Sequence, residues 1–250
     1  MENHPLHYDI DAIGQDIVHF EDFIDSSFYL IQGADRALLI DTGCGGGNVR
    51  RLASAFTDKE IDLAVTHAHG DHDAHAGEFD RVYMHRADIE LRRAAQLCAP
   101  AEKRLDVDRF LALEDGALLD LGGGAVVRTL HIPGHTRGSI ALLDRQAGFL
   151  FSGDAINGQL WMQLGESTKL ADYLESLNAL DPIRPAFTEL HTGHNVEGVP
   201  AAYIDEMKAS IRAILAANGA GDDDFAWFGG TAKRHYMRPD TWVLYTPDKL

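Results

Sequence analysis

Apolar and polar positions fall into short blocks along this chain, and most blocks read cleanly as strand or helix. Residues 28–31 and 37–40 are apolar runs on either side of Gln32-Gly33-Ala34-Asp35, a pattern that predicts a β-hairpin whose second strand runs into Asp41-Thr42-Gly43. The glycine-rich stretch 43–48 reads as a turn before a helix at 49–56, and Ile61, Leu63, Ala64 and Val65 mark the next strand. A short strand at 81–84 and a helix at 87–97, closed by Pro100, follow. Residues 118–121 and 125–130 flank Gly122-Gly123-Gly124 as a second hairpin, and 140–143 and 149–151 flank a turn at 144–148. Leu170, Tyr173, Leu174, Leu177 and Leu180 recur at helical spacing until Asp181-Pro182 stops them. A strand at 186–190, a helix at 201–217 with Ile204, Met207, Ile211 and Ile214 on one face, and a strand at 242–245 complete the order. Strands and helices alternate with no low-complexity linker between them, so an α/β domain spanning residues 1–250 is expected.

Composition narrows the function. A chain that is 45% hydrophobic and 24% charged is globular in kind. Its net charge of −17 opposes nucleic acid and anionic membrane surfaces, and no basic stripe offsets it. No apolar run is long enough to span a bilayer, and the first residues lack the basic and apolar regions of a secretory signal. A cytoplasmic protein acting on a small molecule is therefore expected, with homo-oligomerisation left open. Cys44 and Cys98 are too few for a disulfide framework and lack zinc-finger spacing.

The chemistry enters at Thr66 to His72, T-H-A-H-G-D-H, directly after the 61–65 strand. Where a strand runs out into an extended loop, residues two apart point to one side, so His67 and His69 can grip one cation. Asp71 and His72, at the turn beyond, are displaced toward a second. Imidazole with carboxylate suits Zn²⁺, with Fe or Mn as further options. Three more such side chains stand near strand ends: His135 before the 140–143 strand, Asp154 after 149–151, and His194 after 186–190. Together they make seven potential ligands, the number two adjacent metals need if one carboxylate is shared.

These motifs resemble the metallo-β-lactamase-fold hydrolases, and the resemblance extends from L-L-I-D-T-G at 38–43 to T-G-H at 192–194. H-I-P-G-H-T-R-G-S at 131–139 looks like the segment carrying the third histidine of the first metal, and F-S-G-D at 151–154 like the bridging-aspartate strand end. The resemblance implies a four-layer αβ/βα sandwich. It assigns His67, His69 and His135 to metal 1, Asp71, His72 and His194 to metal 2, and Asp154 to the bridge, with Asp71 also a catalytic candidate. It further implies two Zn²⁺ per chain sharing a hydroxide that attacks a small ester, thioester or lactone. An aspartate at 154 favours the glyoxalase II-like and lactonase-like branches over β-lactam hydrolysis. A mononuclear iron persulfide dioxygenase, a β-lactam hydrolase and a binding protein without turnover remain as alternatives. The basic helical tail that grips glutathione is not evident after His194.

Around this set, Trp161, Met162 and His75 are the candidate substrate contacts, within or beside a loop at 155–166 and the metal stretch. His131, His191 and Asp41 are candidates to support the ligands from behind. Lys233, Arg234 and His235 could meet an anionic group, Asp222 to Asp224 read as a solvated turn, and His4, His7, His19, His85 and His235 read as ordinary surface residues.

Overall fold

The structure is a computed structural model that describes residues 8–100, 104–194 and 197–250; His4 and His7 lie outside them. Two sheets carry the fold. The first has seven strands in chain order, β1 (Asp9–Ala12), β2 (Ile17–Glu21), β3 (Ser27–Gln32), β4 (Arg36–Ile40), β5 (Glu60–Ala64), β6 (Val82–Met84) and β7 (Leu111–Ala112). It is antiparallel up to β4 and parallel from β4 onward. The second comprises β8 (Leu118–Asp120), β9 (Val126–His131), β10 (Ile140–Asp144), β11 (Phe149–Gly153), β13 (Glu189–Thr192) and β14 (Val199–Pro200), in the order β14-β13-β11-β10-β9-β8. Helices α1 (Val49–Ala53), α2 (Gly70–Asp73), α3 (Arg86–Ala95), α4 (Leu170–Asn178) and α5 (Tyr203–Ala217) lie between strands in sequence.

The alternation of side chains along each strand sorts the core into layers. Tyr29, Ile31, Leu38 and Ile40 point inward to meet Ile140, Leu142 and Phe151 of the second sheet. Their neighbours Phe28, Leu30, Ala37 and Leu39 point outward, toward Val49 and Ala53 of α1 and Ile89 of α3. On the other side, Ala141, Leu143 and Leu150 meet Leu170, Tyr173 and Leu177 of α4 and Ile204, Met207 and Ile211 of α5. This is the helix–sheet–sheet–helix sandwich expected. It explains why the central strands read as nearly unbroken apolar runs, since both of their faces are buried.

A third sheet was not foreseen. β12 (Gln159–Trp161), β15 (Asp223–Trp227), β16 (Gly230–Arg238) and β17 (Thr241–Tyr245) form it in the order β12-β17-β16-β15. Asp223 and Asp224 are solvated as expected but belong to β15 and not to a turn, and Asp222 accepts hydrogen bonds from His235 Nδ1 and the Tyr245 hydroxyl. The run at 181–186 is a 3-10 turn containing two prolines, and the strand after it starts only at Glu189. Among the described residues no helix is long and apolar enough to cross a membrane.

Candidate metal centre

Parallel pairing brings the functional loops to one edge. β4 and β5 are parallel neighbours, so Asp41 and the loop from Thr66 leave the first sheet at the same end. β11 and β13 are parallel neighbours in the second, so Asp154 and His194 leave together. The sheets are stitched at this edge by Ser27 N–H donating to Gly193 O (2.8 Å), the Tyr29 hydroxyl to Thr192 O (2.7 Å), and Ile140 N–H to Thr66 O (3.0 Å). Gly193 permits this closeness: a Cβ there would stand 2.3 Å from Asp154 Oδ1 and 2.8 Å from His72 Cε1.

All seven side chains read from the sequence converge. His67, His69 and His135 form one group, Asp71, His72 and His194 a second, and His67, His72 and Asp154 a third, each with ligand atoms within 4.8 Å of one another. Asp154 faces both sides, with Oδ2 3.7 Å from His135 Nε2 and 3.4 Å from His194 Nε2, and Oδ1 3.7 Å from His72 Nε2.

The orientation of every imidazole is set from behind. Carboxylates and carbonyls only accept, so the ring nitrogen facing one must donate. His72 Nδ1 donates to Asp41 Oδ2 (2.9 Å), His69 Nε2 to Glu166 Oε1 (2.8 Å), His135 Nδ1 to Trp161 O (2.8 Å) and His194 Nδ1 to Asp25 O (3.2 Å). The Thr66 hydroxyl gives its one proton to Asp41 Oδ2 (2.7 Å), so at 3.0 Å it accepts from His67 Nδ1. In each neutral ring the opposite nitrogen is then a lone pair turned toward the centre. His67 Nε2 and His72 Nε2 are buried there with no hydrogen-bond partner, and His69 Nδ1 faces His135 Nε2 at 2.9 Å, acceptor against acceptor. Divalent cations held between them would satisfy these lone pairs, so the residues present fit metal binding.

The titration behaviour divides the cluster. Burial, reinforced by neighbouring imidazoles, holds His67 well below its ordinary value and His135 down at about 4. On the other side, burial opposes charge but the ion pairs outweigh it. Asp71 is held at about 2 by His194 and His72, His72 is raised to about 9 by Asp154 and Asp41, and Asp154 lies well below the usual carboxylate range beside His194 and His72.

Asp88 joins the two halves of the site, accepting from Ala68 N–H (2.9 Å), Gly138 N–H (2.8 Å) and the Thr136 hydroxyl (2.7 Å). Neither Asp88 nor Glu166 was singled out from the sequence. Glu166 is 97 positions from His69, and no local pattern announces either contact. Other expectations are corrected. His131 stacks on His85 at 4.0 Å and its Nε2 donates to Arg137 O, while His191 packs against Phe149 and Phe151, so neither supports a ligand. His19 is buried against Ser27, His85 is buried at the start of α3, and His235 is bound to Asp222, so none is an ordinary surface residue.

A cleft of about 860 Å³ opens over the cluster, lined by His69, Asp71, His135, Asp154 and His194 and, from the adjoining loop, Trp161 and Glu166. Met162 is fully buried in the α4–α5 core, and His75 is turned away, its ring nitrogens taken by Glu78 Oε1 and Gly45 O (both 2.9 Å). Neither belongs to the cleft wall. Lys233 pairs with Asp224, and the Arg234 guanidinium lies over the Phe225 and Tyr236 rings, so the proposed anion contact is spent internally.

Comparison with known proteins agrees with this geometry. Over 195 residues the chain is 29% identical to acyl-coenzyme A thioesterase MBLAC2 of Homo sapiens, covering 62% of this chain and 67% of that protein. It is 33% identical over 138 residues to a hydroxyacylglutathione hydrolase of Pseudomonas putida, covering 54% of this chain and about half (49%) of that one. In structure it is similar to the DIM-1 metallo-beta-lactamase (TM-score 0.66, 17% identity, 82% of this chain and 97% of that one). It is likewise similar to a metallo-beta-lactamase family protein from Thermus thermophilus (TM-score 0.59, 22% identity, 87% and 82%). The sequence profile of the metallo-beta-lactamase superfamily matches residues 22–211, a span containing every histidine and aspartate of the cluster, and the chain belongs to that superfamily.

Proposed function

We propose that the protein is a dinuclear metal-dependent hydrolase of small esters, thioesters or lactones. The observation that carries this reading is the set of imidazoles whose outer nitrogens are tied as donors, leaving lone pairs turned inward around Asp154. His67, His69 and His135 would hold one ion, Asp71, His72 and His194 the other, and Asp154 both, with Zn²⁺ the first choice and Fe or Mn possible. Bound there, two divalent cations supply Lewis acidity and a water acidic enough to ionise near neutral pH.

The protein's own groups do the positioning. Asp71, the more exposed of the two carboxylates at 31% against 14%, lines the cleft and orients the attacking water by accepting its hydrogen bond. As a carboxylate it offers that water only acceptor oxygens. Trp161 fixes His135 through its carbonyl and presents its ring to the substrate side of the cleft. The names of the thioesterase and hydroxyacylglutathione hydrolase relatives support acyl-transfer chemistry of this kind.

Purified protein, analysed for metal and assayed on a panel of lactones, thioesters, β-lactams and phosphodiesters, tests the reading. Near two ions per chain, with esters, thioesters or lactones turned over, is expected. One iron per chain with oxygen consumption would move the protein to the persulfide dioxygenases. Asp154→Ala should lower kcat by at least a hundredfold; an unchanged rate would refute the proposal.

A further inference from the structure

Opposite the histidines, the cleft is walled by aromatic rings. Trp161 projects from β12 and Phe228 opens the turn after β15; both line the cleft, and Trp227, the last residue of β15, packs against both of them. The ring centroids are 6.0 Å apart for Trp161–Trp227, 6.1 Å for Trp161–Phe228 and 4.8 Å for Trp227–Phe228. Phe228 is 90% exposed and lines the cleft. A ring so placed gains little from the protein's own folding and offers its apolar area to a ligand.

Away from the histidine and aspartate cluster, the charged side chains that line the cleft are all acidic. Among the described residues no Lys or Arg lines it, whereas Asp25, Glu166 and Asp240 do. Glu166 is engaged by His69, but among the described residues the structure records no ion pair for Asp25 or Asp240. The basic residues of the neighbouring β16 are committed elsewhere, Lys233 to Asp224 (2.7 Å), Arg234 to two aromatic faces, and Arg238 to Glu206 (2.5 Å). Recognition of phosphate or carboxylate normally calls on Arg or Lys forks. Aromatic faces beside carboxylates suit the opposite case, a cation or an uncharged apolar group.

We propose that Trp161 and Phe228, backed by Trp227, form the subsite for the substrate's side group. It takes an apolar group, uncharged or cationic, and discriminates against carriers bearing several negative charges. The chemistry rests on the hydrolase reading above, but the selectivity can be measured without turnover.

The test uses the full chain loaded with zinc and three thioesters of one acyl group, made with thiocholine (cationic), N-acetylcysteamine (uncharged) and coenzyme A (polyanionic). The expected order of kcat/KM is thiocholine, then N-acetylcysteamine, then coenzyme A at least tenfold lower, with the gap narrowing as salt screens the carboxylates. The double variant Trp227→Ala/Phe228→Ala should erase the advantage of the thiocholine ester. Equal or greater kcat/KM on the coenzyme A thioester overturns the proposal. In parallel, titration with tetrabutylammonium should change tryptophan fluorescence saturably, and an alkylsulfonate of similar size should not. Ammonium binding without hydrolysis of any ester would remove the hydrolase reading and leave the subsite standing. Absence of ammonium binding, with or without turnover, overturns the subsite.

Discussion

Asp41 adopts a positive φ of 60°, and from that position its Oδ2 accepts from both His72 and the Thr66 hydroxyl that orients His67. One oxygen thus fixes the tautomers of histidines assigned to different ions. Asp41→Asn preserves the left-handed backbone, which asparagine tolerates, but an amide facing these donors disturbs at least one of them. Metal affinity measured by chelator competition should fall about 10- to 100-fold while circular dichroism stays native. His191 is the second informative residue. Burial, with His19 nearby, lowers it from 6.5 to about 4, so between those values the unfolded chain binds more protons than the folded one. Stability contributed by the neutral ring is complete above about pH 6.5 and is lost as the pH falls toward 4, a change of order a few kcal/mol. His191→Phe, set among Phe149, Phe151 and Tyr29, should flatten that slope in urea unfolding at pH 7 and 4.5.

At the scale of elements, Asp88 in the first turn of α3 ties the Thr66–His72 loop to the 132–139 loop through three accepted hydrogen bonds. Asp88→Ala leaves buried donors without acceptors, so it should cost about 2–4 kcal/mol in denaturant unfolding and weaken metal binding through His69 and His135. The elements themselves were legible where a strand or helix had a buried face. The 28–31 and 37–40 hairpin, the helix before Asp181-Pro182 and the long α5 each carried the periodicity of their burial. β15 and β16 were not legible because neither has a buried face: Asp223–Trp227 and Gly230–Arg238 are almost wholly exposed or half-buried, so their sequences show no apolar alternation. The convergence of the candidate ligands was legible because loop motifs at strand ends place chemistry in contiguous residues. Glu166 and Asp88 were not, because a contact between distant segments leaves no local spacing to read. Met162 and His75 misled for the same reason, since proximity in sequence to a ligand does not fix which way a side chain turns.

At the scale of the whole molecule, the cluster stands where the two sheets meet and draws on both. Cations bound there stabilise the folded state by mass action, and the crowded lone pairs and carboxylates make the metal-free form less stable. Chelation should therefore lower Tm by several degrees in a thermal scan, with recovery on adding Zn²⁺ and none on adding Mg²⁺, which suits imidazole poorly. The third sheet has a different relation to the rest. The superfamily match ends at residue 211, and the aromatic turn at Trp227-Phe228 comes after it, reaching the cleft because β17 pairs with β12 in the register Gln159↔Trp242 to Trp161↔Leu244. The candidate ligands thus lie inside the matched span, and of the three rings proposed to select the substrate's side group, Trp161 lies inside it and Trp227 and Phe228 beyond it. On the proposed reading, a handful of changes at the hairpin tip would retarget the molecule, with the candidate ligands left as they are.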